Sequence, residues 1–134
     1  MTRTRMLLLL PIFSLPAMWA SQAVGQLTSA TLYTPPLWAD HFVCTVVNTS
    51  NTKRSVTARI FDESGAEIST NPIAGGCTQA NLSPSQACGV IAPSKGVRLA
   101  YCRIQVPLGS KLDVRGSLYG STQNGLSAAV VPAE

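Results

Sequence analysis

The chain has 134 residues, of which 46% are hydrophobic and only 12% charged, with a formal net charge of +4. So sparse a charge excludes a coiled coil and a charged disordered tail. The charge falls to +2 once Arg3 and Arg5 are set aside with the leader described next, which excludes a nucleic-acid binder driven by strong positive charge, and no nucleic-acid partner is expected.

Residues 1–23 read as a secretory signal peptide. Arg3 and Arg5 form a short positive region, an apolar stretch follows over residues 6–20, and Ser21-Gln22-Ala23 sets small residues at the −3 and −1 positions of a cleavage site. Cleavage is expected between Ala23 and Val24. The stretch is shorter than the roughly 20 apolar residues a membrane-spanning helix needs, and Pro11 and Pro16 interrupt it. No second hydrophobic span follows, so no membrane span is expected after cleavage, and the mature chain is expected to be secreted or periplasmic. Its 111 residues suit a single domain, residues 24–134.

Beyond the leader the hydrophobic period is two, the mark of strands. Candidate strands cover residues 27–33, 42–47, 55–60, 66–69, 89–92, 97–106, 111–119 and 126–131. In residues 55–60, Val56, Ala58 and Ile60 share one face, and in residues 111–115 Leu112 and Val114 alternate inward between Lys111, Asp113 and Arg115. Turn chemistry separates these runs. Asp62-Glu63-Ser64-Gly65 reads as a hairpin loop with a positive φ at Gly65, Pro93-Ser94-Lys95-Gly96 as a turn, and Asn124-Gly125 as the strongest short hairpin signal. No window of a dozen residues carries a helical stripe. The sequence predicts an all-β chain, an antiparallel β-sandwich of seven to eight short strands.

Four cysteines lie in the mature region, an even number that favours two disulfides in an exported chain. Cys44 and Cys102 fall in the two most strand-like segments, while Cys77 and Cys88 flank an irregular stretch. The simplest pairing is Cys44 with Cys102 and Cys77 with Cys88. Gaps of 33, 11 and 14 residues, with His41 as the sole histidine, do not fit a zinc site. The 58-residue separation of Cys44 and Cys102 suits an inter-sheet bridge of the immunoglobulin kind, although Trp38 precedes Cys44 where an immunoglobulin core tryptophan follows, so "Ig-like" describes architecture alone.

Cys-Thr-Val-Val-Asn (44–48), Phe-Asp-Glu-Ser-Gly (61–65), Leu-Ser-Pro (82–84), Tyr-Cys-Arg (101–103) and Val-Arg-Gly (114–116) together resemble small exported bacterial β-sandwich proteins with no assigned function. The resemblance spans most of the mature chain and rests on turn and cysteine patterns. It implies a fold and a compartment and brings no catalytic residue with it.

Chemistry-bearing residues are few. His41 beside Asp40 is the one combination that suggests a hydrolase, but neighbours on an extended strand point to opposite faces, and no G-x-S-x-G elbow presents a nucleophile. His41 is therefore expected to be an exposed strand-start residue, and no residue is expected to be catalytic. The carboxylates sit in turns or between basic residues, neither a calcium loop nor a phosphate loop occurs, and no cofactor or metal is expected. Lys53, Arg54, Lys95, Arg98, Arg103, Lys111 and Arg115 are scattered, which suits protection of strand edges better than an acidic-polymer patch. Asn48-Thr-Ser50 and Asn81-Leu-Ser83 match the glycosylation acceptor pattern, of consequence only in a eukaryotic host.

Tyr33 and Trp38 flank Pro35-Pro36 and are the remaining handle. Large rings are usually buried, so Trp38 is expected to pack on the sandwich, consistent with a structural or adhesive module. The alternative is a solvent-facing ledge of Tyr33 and Trp38 that binds an extracellular glycan or peptide. Exposure discriminates between the two: a coplanar, solvent-facing Tyr33–Trp38 pair favours the binder, and a buried Trp38 favours the structural module.

Overall fold

The computed structural model describes residues 28–73, 75–93, 96–122 and 127–134. The leader, the Ala23 and Val24 junction, Ser94, Lys95 and the Asn124-Gly125 turn lie outside the described residues.

The alternation in the sequence becomes two antiparallel sheets. In chain order the strands are β1 (Ala30–Tyr33), β2 (Leu37–Ala39), β3 (His41–Asn48), β4 (Arg54–Asp62), β5 (Asn71–Ile73), β6 (Ala80–Leu82), β7 (Ala87–Ala92), β8 (Arg98–Val106), β9 (Val114–Ser121) and β10 (Ser127–Pro132). The first sheet runs β1-β8-β4-β6, with β2 also paired to β8, and the second runs β10-β9-β3-β7-β5. β1, β3, β4, β7, β8 and β9 turn their apolar faces inward. Leu32, Val56, Ile60, Ile104 and Val106 of the first sheet and Phe42, Val46, Val90, Val114 and Leu118 of the second are almost wholly removed from water. They join one hydrophobic cluster between the layers.

Both disulfides form with the expected pairing. Cys44 of β3 is bonded to Cys102 of β8 with Cα atoms 6.1 Å apart, so this bridge spans the two sheets at the centre of the core. Cys77 is bonded to Cys88 of β7 with Cα atoms 5.2 Å apart. Cys77 lies where the chain crosses from β5 in the second sheet to β6 in the first, and its carbonyl accepts a hydrogen bond from Ala58 N–H of β4 at 2.9 Å. That bridge pins the crossing against the side of the sandwich. Two disulfides are the usage of an oxidising compartment. No helix among the described residues is long and apolar enough to cross a membrane.

The structure departs from the predicted elements at several places, each with a local cause. Residues 66–69 form only a single bridge, Glu67 opposite Phe61. The turn before it is as predicted, with Gly65 at φ +81° and the Asp62 carboxylate accepting from Ser64 N–H, the Ser64 hydroxyl and Ala66 N–H. Residues 111–113 are a 3₁₀ turn, not a strand. Ser110 caps it by accepting from Leu112 N–H, while the Asp113 carboxylate accepts from Ser110 N–H at 2.7 Å and from Arg54 Nε at 3.0 Å. Leu112, expected inward, is consequently exposed, and Val114 begins the strand. The stretch between Cys77 and Cys88, expected to be loop, holds β6. Three short strands, β2, β5 and β6, were not foreseen, being three residues each and too brief to show a period.

Asn48, the last residue of β3, is buried and fully used. Its amide group donates to the carbonyls of Thr52 at 2.8 Å and Leu82 at 2.9 Å, and its side-chain oxygen accepts from the N–H and hydroxyl of Ser50. Those bonds fold the β3–β4 crossover, and they leave no free amide for a glycan at this acceptor motif.

Candidate functional site

The site is the outer face of the first sheet, and its origin lies in Thr34-Pro35-Pro36. Proline lacks the N–H a ladder needs and restricts the residue before it to extended backbone. The N-terminal run is therefore broken in two, and both pieces pair with the same edge of β8. β1 matches Ala30 through Tyr33 with Val106 through Arg103, and β2 matches Leu37, Trp38 and Ala39 with Ala100, Leu99 and Arg98. At the break, Thr34 N–H donates to Cys102 C=O at 3.0 Å, and the Thr34 hydroxyl accepts from Cys102 N–H at 2.8 Å. A buried threonine side chain thus closes the ladder where the prolines interrupt it.

This register fixes which rings face water. Ala100, Cys102, Ile104 and Val106 of β8 point inward, so Leu99, Tyr101, Arg103 and Gln105 point outward. Trp38, opposite Leu99, and Tyr33, opposite Arg103, share that outer face. Trp38 is 59% exposed and Tyr33 is 50% exposed. The expectation that Trp38 packs on the sandwich is overturned. The neighbouring residues Leu37 and Ala39 take the inward places over Gly120, and a strand cannot turn three consecutive side chains the same way.

Tyr33 and Trp38 are not alone. On β4, Phe61 lies opposite Tyr101 and Arg59 opposite Arg103. The Phe61 and Tyr101 rings stack with centroids 5.6 Å apart and planes 19° apart, and Tyr101 meets Tyr33 at 6.3 Å with planes tilted by 49°. The Arg103 guanidinium lies over Phe61, 4.2 Å from its centroid. Of the six aromatic residues in the chain beyond residue 23, four share this face. Tyr33 and Trp38 align with β8 positions four residues apart, roughly 13 Å along the strand. Tyr101 lies between those positions. Polar groups border the rings, with Arg59 Nη1 bonded to Glu67 Oε2 at 2.9 Å. Sequence reasoning found Tyr33 and Trp38 and missed Tyr101, Phe61 and Arg103. The signal was present in the alternation of residues 97–106, whose outward set contains a tyrosine and an arginine, but its register against residues 33 and 38 was not.

His41 and Asp40 come together more closely than expected. Asp40 precedes β3 at a bend, so the opposite-face rule for extended neighbours does not hold there, and its carboxylate lies 3.5 Å from His41 Nδ1. The Asp40 side chain is 3% exposed and that of His41 is 43% exposed. Ser121 of β9 is the residue across the ladder from His41, and no hydrogen bond joins the imidazole to a hydroxyl among the described residues. No cluster of three or more metal-ligating side chains occurs among the described residues. A depression of about 280 Å³ lies on the second sheet, lined by Thr45, Val47, Ala87, Arg115 and Ser117, but the Thr45 and Ser117 hydroxyls hydrogen-bond each other at 3.0 Å.

Two carboxyls are held below their ordinary value of 3.8. For Asp62 the Ser64 hydroxyl is the main cause, with backbone N–H groups assisting. For Asp113 it is the Ser110 N–H, partly opposed by desolvation and reinforced by Arg54. Both serve turns. No protein-family model, curated protein or solved structure matches the chain.

Proposed function

We propose that this chain is an exported, non-enzymatic binding module, acting in the periplasm or outside the cell, that engages glycans with the outer face of its first sheet. The observation that carries this reading is the exposure of Trp38 and Tyr33 beside Tyr101. Three rings spaced along one strand offer flat apolar surface with electron-rich faces, at small entropic cost because each ring has few rotatable bonds. Sugar C–H groups suit such faces, and the bordering Arg59, Glu67 and Gln105 supply donors and acceptors for hydroxyls. A peptide partner would need a free sheet edge or a groove. Three of the edge strands are poor ones. β5 and β6 have three residues each, and Tyr33 of β1 already exchanges backbone hydrogen bonds with Glu134 at 3.2 and 3.1 Å. An adhesive role through loops and edges alone is correspondingly less well supported than one through this face.

The test is retention on an array of oligosaccharides, with Trp38 fluorescence as the second readout. Trp38→Ala and Tyr33→Ala are each expected to abolish or strongly weaken retention while the circular dichroism spectrum stays unchanged. Failure of the wild-type chain to bind any glycan, with a tryptophan emission that no sugar perturbs, overturns the reading. His41→Ala is expected to leave fold and binding intact. A hydrolytic activity lost in that variant would instead make the chain an enzyme.

A further inference from the structure

We infer that the glycan is an acidic one, and that Arg103 receives its carboxylate or sulfate. The inference rests on the glycan-binding reading and adds the charge of the ligand. Arg103 sits at the centre of the outer face, with Tyr33 directly opposite on one side and Arg59 on the other. Two like charges facing each other across a ladder repel. Here Arg59 is neutralised by Glu67 at 2.9 Å, and Arg103 is not: it makes no hydrogen bond or ion pair among the described residues, and its Nε is buried without an acceptor. The face therefore keeps one uncompensated cation in the midst of its rings.

That cation is also held in position. Its guanidinium carbon rests 4.2 Å from the centroid of Phe61, which is itself stacked on Tyr101, so the ring pair limits where the guanidinium can go. A guanidinium carries several N–H donors in a planar fork, which suits it to grip a carboxylate or sulfate with two hydrogen bonds. Side chains directly opposed across an antiparallel pair have Cβ atoms about 5 Å apart. Because the guanidinium lies over Phe61 of β4, a sugar on Tyr33 meets it with a substituent that extends across β8. Charge complementarity selects an anionic substituent over a neutral one, because a guanidinium bonds a charged acceptor about twice as strongly as a neutral one.

Two ligands sharing one backbone isolate the charge: oligogalacturonates and their methyl esters. Binding of the mature, disulfide-bonded protein is followed through Trp38 emission, beside an array of sialylated, sulfated and neutral oligosaccharides. The expected result is retention of acidic glycans, with the esterified or neutral counterpart at least about tenfold weaker. Arg103→Gln is expected to reduce the acidic ligand to the neutral level, and high salt to weaken the acidic ligand alone. Retention of sulfated but not carboxylated sugars, or the reverse, supports the same anion site and identifies its preferred group. Equal binding of acid and ester, unchanged in Arg103→Gln, overturns the inference and leaves the glycan reading standing, as does retention confined to neutral sugars. If no glycan of either kind is retained, the underlying reading fails. A dimer in sedimentation that Trp38→Ala dissociates assigns the face to a second copy of the chain and overturns both. Should Arg103→Gln fold poorly, the ester and salt comparisons decide.

Discussion

Replacing Trp38 with alanine removes the largest ring of the outer face and almost nothing from the core. Its stability cost is expected to stay within about 0.5 kcal/mol, the range for an exposed substitution, against the 3–5 kcal/mol that emptying a buried aromatic site would cost. Urea unfolding checks this, and iodide is expected to quench the native emission freely, since Trp38 is the only tryptophan beyond residue 23. Asn48 is the opposite case. Asn48→Ala strands the carbonyls of Thr52 and Leu82 and the groups of Ser50, so a loss of about 2–4 kcal/mol of unfolding free energy, read from urea titration, is expected. Asp113 adds a pH dependence of known sign. Its carboxyl is held below 3.8 when folded, so its contribution is fully present above that value and is lost as pH falls through the lower folded value. The wild-type chain should therefore lose stability as pH falls below about 3.8, and Asp113→Asn should be weaker at neutral pH and flatter on the acid side of that value. A slope identical in the two proteins would show that Asp113 is not its source.

At the level of elements, Thr34 and the two disulfides set the arrangement. Thr34→Val keeps the shape but removes the acceptor of Cys102 N–H, at an expected cost of about 1–3 kcal/mol. On the chain-entropy model, the Cys44–Cys102 bridge closes the longer loop and contributes about 4 kcal/mol, and Cys77–Cys88 about 3 kcal/mol. Replacing the first pair by serine should accordingly destabilise more than replacing the second, and equal losses would argue against that model. What could be read in the sequence follows from what is local. Strands of six residues or more showed their period, Gly65 announced its turn, and the cysteines declared their pairing by lying in strand or irregular contexts. What could not be read depends on partners distant in the chain. The fate of Trp38 was decided by which of Leu37, Trp38 and Ala39 faces Gly120, and the 3₁₀ turn at residues 111–113 by Asp113 meeting Arg54, 59 positions away. The proposed binding face is a matter of register between β1, β2, β4 and β8, which no single segment encodes.

For the molecule as a whole, the two bridges together contribute an amount comparable to the entire stability of a small domain. Reduction with dithiothreitol is expected to unfold the chain or to lower its Tm by tens of degrees, which calorimetry in the two redox states measures directly. The bridge across the core has a mechanical consequence as well. A pull applied at the two ends of the domain can lengthen only the segments outside the Cys44–Cys102 loop, because the covalent bond shunts the load past a sequence separation of 58. About 200 Å of contour length is thereby withheld from the stretching force. Tyr33 and Trp38 lie on the loaded side of that shunt, whereas Phe61 and Tyr101 lie within the sheltered loop. Under tension Tyr33, Trp38 and Arg103, which follows Cys102 and also bears load, would be drawn away while Phe61 and Tyr101 kept their places, so a tether held by this face would let go by stages and re-form when the load relaxed.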